Sequence, residues 1–443
     1  MFAPRHLRQL LTPFWSAPRW WLGLSGGVDS LLLLHLLAPL AGRPPLHAVH
    51  VHHGLYPQAD DWVEHCRRAC GELGVELTVS RVAVARGGDG EEAEARRARY
   101  DAFARLLGPG EVLLLGHHLD DQLETLLMRL LRGAGVDGLA GMPRQRPLGA
   151  GRLFRPLLDC RRVQILAEAE RLGLHWIDDP SNRDPRLERG FLRQQLLPRL
   201  AERWPDYDRR LERSLAHLGQ AREVLDDQAA SDLSRCDYRP ADHSLALPPL
   251  AALSRARQHN LLRYWLRQLA LPPPPARAWV QWTELLNAGA DAAPRWHWEG
   301  AELRRHRQRL YPLQALPEPA DSPGVWHPPE PWRAPGMGKL TAVATRGSGL
   351  RLPAGATCVI RRRRGGERCR PQGRRHSQTL KRLLQEHGLP PWWRQRLPLV
   401  YVAGELAAVG DLWVCEGHAA GPGEAGWLLS WQRPGVPVGR GLR

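Results

Sequence analysis

The stretch Trp20-Trp21-Leu22-Gly23-Leu24-Ser25-Gly26-Gly27-Val28-Asp29-Ser30, running on into Leu31 to Leu34, constrains this chain more than any other. It reads as a short buried strand, a glycine turn and a helix that opens at Ser30. Without side chains, Gly26 and Gly27 let the backbone come close to an anion. The free N–H groups of the helix start and the positive end of its dipole then face that anion. Ser25 and Ser30 add hydroxyl donors on either side of Val28, and Asp29 is placed to hold Mg²⁺ near phosphates. An ordinary tight turn would account for Gly-Gly alone; the whole string Ser-Gly-Gly-x-Asp-Ser after an apolar strand reads as a phosphate loop. No Gly-Lys-Ser/Thr follows, so it is not a Walker A loop.

Residues 1 to about 180 alternate strand and helix. His47–Val51 reads as a second strand, 59–73 as a helix with Trp62, Cys66 and Cys70 at helical spacing, and 75–84 as a third strand. A helix over 91–107 and a strand over 112–115 follow. This alternation predicts an α/β fold, a parallel sheet with helices on both faces. Ligands of such sheets bind beyond the carboxyl ends of the strands, so the loop at 25–30, His50 to Gly54 and the stretch from Gly116 should converge on one crevice.

The stretch Gly116-His117-His118-Leu119-Asp120-Asp121-Gln122-Leu123-Glu124-Thr125 is the second informative one. At roughly 100° per residue, His117, Asp121 and Glu124 share a narrow arc of one helix, with Leu119, Leu123, Leu126, Leu127 and Leu130 opposite. The leucines would anchor the helix on the sheet and present an imidazole and two carboxylates to the crevice. Such a set could bind a metal, and two carboxylates could equally hold an ammonium group.

The 443 residues suggest about two to four domains, and the formal charge of +16 favours a polyanionic partner such as nucleic acid. A genome biased towards Arg explains why only Lys339 and Lys381 are lysine, but not the excess of positive charge. Seven scattered cysteines with no Cys-x-x-Cys pair argue against a disulfide framework, a zinc ribbon or an iron–sulfur site, and fit a reducing cytoplasm. No apolar run is long enough to span a membrane. The N-terminus, with Arg5, Arg8 and Arg19, runs straight into the loop and reads as part of the fold.

The loop resembles the PP-loop of the ATP pyrophosphatases, enzymes that split ATP between its α and β phosphates, adenylate a substrate oxygen and release pyrophosphate. Gly116 to Thr125 followed by Leu130-Leu-Arg-Gly-Ala-Gly-Val-Asp-Gly-Leu-Ala-Gly-Met142 narrows the resemblance to the tRNA(Ile)-lysidine synthetases. So do His50-Val-His-His-Gly-Leu55, Glu94-Ala-Arg96 with Arg99-Tyr100, Arg155-Pro-Leu-Leu158 and Asp178-Asp-Pro-Ser-Asn182. The family's Arg-Asn-x-x-Arg appears here as Arg189-Gly190-Phe191-Leu192-Arg193, without the Asn. The resemblance implies ATP and Mg²⁺ as cofactors, tRNA(Ile) with a CAU anticodon and free L-lysine as partners, and no membrane or protein partner. The implied reaction adenylates C2 of the wobble cytidine and then lets the lysine ε-amine displace AMP, giving lysidine. The expected ATP site is Ser25, Gly26, Gly27, Val28, Asp29, Ser30, His50 and His117. Asp29 is the metal residue, and Asp29, His117, Asp121 and Glu124 form the catalytic set. Arg99, Asp121 and Glu124 are expected to hold lysine, and Arg132, Asn182, Arg189 and Arg193 to contact tRNA. A PP-loop tRNA thiolase would be expected to carry paired cysteines, and an RNA-binding protein keeping ATP as a structural ligand has no need of those acids.

The expected organisation is a catalytic domain over 1–215, a small helical tRNA-contacting domain over 216–315, a Pro-rich linker over 316–339 and a C-terminal α+β domain over 340–443. Leu261, Leu262, Trp265 and Leu266 form one apolar stripe of the helical part. In the last domain, Arg361, Arg364, Lys381, Arg382 and Arg394 are interleaved with Trp392 and Trp393, a mixture that suits phosphates and bases.

Overall fold

A computed structural model of the chain describes residues 2–437 apart from 84–90, 180–183, 290–291, 293, 322 and 354–355. They form two compact units, Met1–Glu223 and Val224–Arg443.

In the first unit the elements run α1 (Pro4–Leu11), β1 (Trp20–Gly23), α2 (Val28–Leu37), β2 (Leu46–His52), α3 (Ala59–Glu72), β3 (Glu76–Arg81), α4 (Glu91–Leu106), β4 (Val112–Leu114), α5 (Leu119–Leu131), α6 (Val136–Leu139), β5 (Gln145–Leu148), β6 (Gly151–Phe154), α7 (Arg162–Arg171), α8 (Glu188–Phe191) and α9 (Leu197–Arg203), and α10 (Tyr207–Arg235) begins in it and continues into the second. The sheet order is β3-β2-β1-β4-β6-β5, parallel except for β5, which pairs antiparallel with β6 at the edge. The chain leaves β1 towards β2 and β3 and returns to the other side at β4, so the switch in strand order lies between β1 and β4.

Strand alternation decides what each face buries. Trp20 and Leu22 point into the core shared with α1, α2, α3 and α7, and Trp21 joins Val49, Phe103, Leu113 and Leu153 under α4. Both indoles keep a partner: Trp20 Nε1 donates to the Phe14 carbonyl at 2.9 Å and Trp21 Nε1 to Glu111 Oε2 at 2.8 Å. Helix α2 is leucine nearly all round and buries Leu31 to Leu34 and Leu37. At about 1.5–3 kcal/mol for each fully buried leucine, this packing fixes the loop that precedes it.

The structure corrects several expectations. Helix α2 opens at Val28 rather than Ser30, because Gly27 takes the extended N-cap conformation. His117 precedes α5 instead of riding on it, since the extended residue His118 is the N-cap. The leucine stripe of α5 holds at Leu119, Leu123 and Leu126, but Leu130 is exposed where the helix leaves the sheet. Strands β5 and β6 were not anticipated: Gln145-Arg-Pro-Leu is polar and carries a proline, which an edge strand tolerates.

In the second unit, helices Leu247–Ala251, Arg255–Gln268 and Val280–Asn287 bury Leu261, Leu262, Trp265, Leu266 and Trp282. They pack on a four-stranded antiparallel sheet of Leu245–Ala246, Arg309–Leu313, Ala301–His306 and Arg295–Trp298, so this region is α+β rather than helical. The Pro-rich stretch 316–339 is not a free linker. Gly324–Trp326 pairs with Cys358–Arg361, and Trp332–Ala334 pairs with Gly338–Arg346. Their apolar residues, Trp326 and Trp332, enter the same core as Leu399–Val402 and Glu405–Val409.

Candidate active site

The turn after β1 is braced from within. Ser30 Oγ donates to the Gly27 carbonyl at 3.0 Å and accepts from the Ser25 amide at 3.2 Å, and the Ser25 hydroxyl lies 3.1 Å from it. Ser30 is therefore buried as a strut, and only Ser25 of the two hydroxyls is exposed. The first bond of α2 runs from the Leu31 amide to the Gly27 carbonyl at 3.1 Å, which leaves the amides of Val28, Asp29 and Ser30 without an intrahelical acceptor. Gly26 has φ +88°, and a Cβ there would stand 2.5 Å from Ile177 Cδ1. The Ile177 amide donates to the Gly26 carbonyl at 3.0 Å, so the segment after α7 clamps the loop. A Cβ on Gly116 would lie 2.9 Å from the Asp29 carbonyl oxygen, which makes glycine obligatory where β4 passes the start of α2.

These elements open into a cavity of about 480 Å³ lined by Ser25, Gly27, Val28, Asp29, Ser30, His50, Arg99, His117, Asp121, Arg162, Arg189 and Arg193. Loop, histidines and acids thus converge beyond the carboxyl ends of β1, β2 and β4. His50 is buried with Nδ1 2.9 Å from the Leu24 carbonyl. That contact requires a proton on Nδ1 and leaves Nε2 as an acceptor. Burial chiefly holds the His50 imidazole below its ordinary range. His117 is pushed down to about 3 by burial, against Asp121, and stays neutral.

His118, fully buried, lies 3.7 Å from Asp29 Oδ1, 3.6 Å from Asp121 Oδ2 and 3.5 Å from Asp120 Oδ2. Burial alone would lower it, but these acids outweigh burial and hold it above the ordinary histidine value. Asp29 is raised by burial, with His118 and Arg162 pulling the other way. Arg162 Nη1 is 3.6 Å from Asp29 Oδ2, and the Arg162 amide donates to Asp120 Oδ2 at 2.7 Å, tying the starts of α5 and α7 together. Asp121 is brought down to about 2; burial opposes this, and His118, His117 and Arg189 overcome it.

Arg189 and Arg193, expected at a tRNA surface, line this cavity. Arg193 Nη2 is 3.0 Å from Glu124 Oε2 and 3.3 Å from Asp121 Oδ1. Arg189 stands 3.9 Å from Asp121 and 4.0 Å from Glu124. Arg193 falls on a π-helical turn, Leu192–Leu196, between α8 and α9, which sets its direction. Glu124 is almost fully buried and lies behind Arg193 rather than facing the cavity; burial holds it above the usual carboxylate range, with Arg193 opposing. Gly190 has no room for a side chain, because a Cβ would fall 1.9 Å from the Asp184 carbonyl.

Arg132 is exposed outside the cavity and paired with Glu188. Asn182 lies outside the described residues. In the second unit, Arg361, Arg364, Lys381 and Arg382 are exposed and Arg394 is half-buried. Trp392 is not a surface platform: it is 6% exposed and packs edge-on against Tyr311 at 5.4 Å. Trp393 is buried likewise, its Nε1 donating to the Pro434 carbonyl at 3.0 Å. Sequence reasoning missed His118 and Arg162 in the site. His118 could have been found in the Gly-His-His-x-Asp-Asp string; Arg162 carries no local signal.

Asp29 is the residue of the cavity that could hold a metal. Its Oδ1 is buried without a hydrogen-bond donor, and no cluster of three or more His, Cys, Asp and Glu able to hold a metal occurs among the described residues. A single carboxylate completed by substrate phosphates and water is how Mg²⁺ is commonly held. No helix among the described residues is long and apolar enough to cross a membrane.

Residues 3–200 match the family described as PP-loop domain, 245–311 the TilS substrate binding domain and 358–431 the TilS substrate C-terminal domain. The chain is 47% identical to the tRNA(Ile)-lysidine synthase of Pseudomonas aeruginosa, over 97% of this chain and 96% of that one. It is 38% identical to the tRNA(Ile)-lysidine synthase of Coxiella burnetii, over 98% of both. Among solved structures, the U34-tRNA thiolase NcsA from Methanococcus maripaludis is 20% identical, with a TM-score of 0.41 over 49% of this chain and 77% of that chain. By the extent and identity of these matches, the chain belongs to the tRNA(Ile)-lysidine synthase family.

Proposed function

We propose that this chain ligates free L-lysine to C2 of the wobble cytidine of tRNA(Ile) with a CAU anticodon, through an adenylated tRNA and with release of pyrophosphate and AMP, in the cytoplasm. The observation that carries the reading is the single cavity into which the loop amides, Asp29, Asp121 and the arginines Arg99, Arg162, Arg189 and Arg193 open.

The amides of Val28, Asp29 and Ser30 and the Ser25 hydroxyl take the departing pyrophosphate, with the α2 dipole behind them. Asp29 would hold Mg²⁺, which when bound offsets phosphate charge. Arg162 and Arg193 add positive charge on the same side, suited to the α-phosphate. Neutral His117 hydrogen-bonds the phosphate region, and the free Nε2 of His50 suits the nucleotide.

Asp121 remains ionised at neutral pH and offers a fixed negative charge to an ammonium group of lysine; Arg99 offers the counter-charge for its carboxylate. Glu124 acts at one remove by holding Arg193. The attacking amine must shed a proton, to a neighbouring carboxylate or to water in the cavity. In the second unit, Arg361, Arg364, Lys381 and Arg382 supply phosphate contacts for tRNA, with Arg394 at their margin.

Incubation with ATP, labelled lysine and the tRNA tests the reading. Label should enter the RNA in an ATP-dependent manner. Label absent from RNA with ATP consumed would favour another PP-loop chemistry, and absent with ATP untouched would favour a binding protein.

A further inference from the structure

All seven cysteines are free and buried. Burial pushes Cys66 up to about 12 and Cys70, Cys160 and Cys236 up to about 11, and raises Cys358, which makes these thiols inert. Cys369 differs. It is 46 residues from Cys415 in sequence, yet the two sulfurs meet at 2.6 Å. The backbone puts them there: Pro371 and Cys415 form an antiparallel bridge, flanked by the Glu416 amide donating to Arg370 at 2.7 Å and the Gln372 amide donating to Val414 at 3.0 Å. Cys369 itself is held on its other side by the pairing of Arg368–Cys369 with Gln378–Thr379. Neither thiol has to move through a packed core to meet the other.

From this placement we propose that Cys369 and Cys415 are a reversible redox pair, joined by peroxide into a disulfide that closes the segment carrying Lys381 and Arg382. The two sulfurs share one hydrogen bond, which, aided by Trp413 and opposed by burial, holds Cys369 below the ordinary thiol range, and we take Cys369 as the nucleophile. Its thiolate attacks one peroxide oxygen, the O–O bond breaks, and the thiol's proton leaves with the other oxygen as water. The resulting sulfenic acid is attacked at sulfur by Cys415, the S–O bond breaks, and the oxygen departs with the Cys415 proton as a second water. Two thiols are oxidised and one peroxide is reduced. A dithiol reverses the step by exchange. The closed loop removes freedom from the unfolded chain, so the oxidised protein should melt at a higher temperature than the reduced one.

The test uses the full chain treated with hydrogen peroxide, alkylated in denaturant, digested without reduction and read by mass spectrometry. The expected result is one cross-linked peptide pair holding Cys369 and Cys415, lighter than its two parts by two hydrogens, abolished by dithiothreitol, with the other five cysteines alkylated. A Cys415→Ala variant should instead leave a sulfenic acid on Cys369 that dimedone captures. Recovery of both residues as alkylated thiols after peroxide, a cross-link between other cysteines, or dimedone on a different cysteine overturns the proposal.

Discussion

Arg193 lays its guanidinium on the buried carboxylate of Glu124, Nη2 3.0 Å from Oε2, and the same nitrogen reaches Asp121 Oδ1 at 3.3 Å. One arginine thus answers both acids that helical spacing sets side by side on α5. Without it, the two carboxylates would keep only the more distant Arg189 in common, and burial and mutual repulsion would favour a proton on Glu124.

Arg193→Met should therefore destabilise the protein by about 3–5 kcal/mol, the cost of leaving one partner of a buried pair uncompensated. Arg193→Met combined with Glu124→Gln should recover a large part of that. Urea denaturation of the two variants and the wild type checks both statements; equal midpoints for the single and double variants would contradict them.

Asp29→Ala should lower tRNA adenylation on the order of 10²-fold or more, as for other losses of a charge-stabilising group at a transition state. Binding of tRNA should stay near wild type, because Asp29 faces the cavity from the first turn of α2. Pyrophosphate release and filter binding on the same preparation separate the two effects.

Asp121 gives a pH dependence whose sign is fixed. Its carboxyl falls from 3.8 to about 2 on folding, so the folded state binds the proton less well than the unfolded state. The stability this contributes is present above about pH 4 and lost as pH falls towards 2, on the order of 2 kcal/mol. Asp121→Asn should flatten that acid limb in urea midpoints measured across the same range.

The loop and the acids were legible because their signals are local: Gly-Gly at a strand-to-helix turn, and carboxylates three residues apart on a helix. Arg193 was visible as a residue but not as their partner, since 69 positions separate it from Glu124 and only the π-helical turn aims it. Trp392 failed for the opposite reason. Basic residues around a tryptophan look the same in sequence whether the indole covers the surface or fills a core, and here Tyr311 and Trp393 pack against it. The strands of 316–339 were hidden because prolines read as a linker, although an edge strand needs few amide donors.

That difference makes a paired prediction in the second unit. Trp392→Ala should cost about 3–5 kcal/mol of stability as a core cavity. Lys381→Ala with Arg382→Ala should leave stability near wild type, because both are exposed and the Arg382 ion pair with Glu386 at 3.1 Å is a surface one. The double variant should instead flatten the salt dependence of tRNA binding, by roughly one counterion for each phosphate that is no longer neutralised. Thermal melts and tRNA binding across a salt series distinguish the two outcomes.

The most direct test of the two-step account is a chase. The enzyme is incubated with tRNA(Ile) and ATP labelled at the α-phosphate, without lysine, and unlabelled lysine is then added. The account predicts that label first joins the tRNA in step with pyrophosphate release, and that lysine then discharges it as AMP while lysine enters the RNA. Label that never joins the tRNA, or that stays on it when lysine is added, would contradict the account.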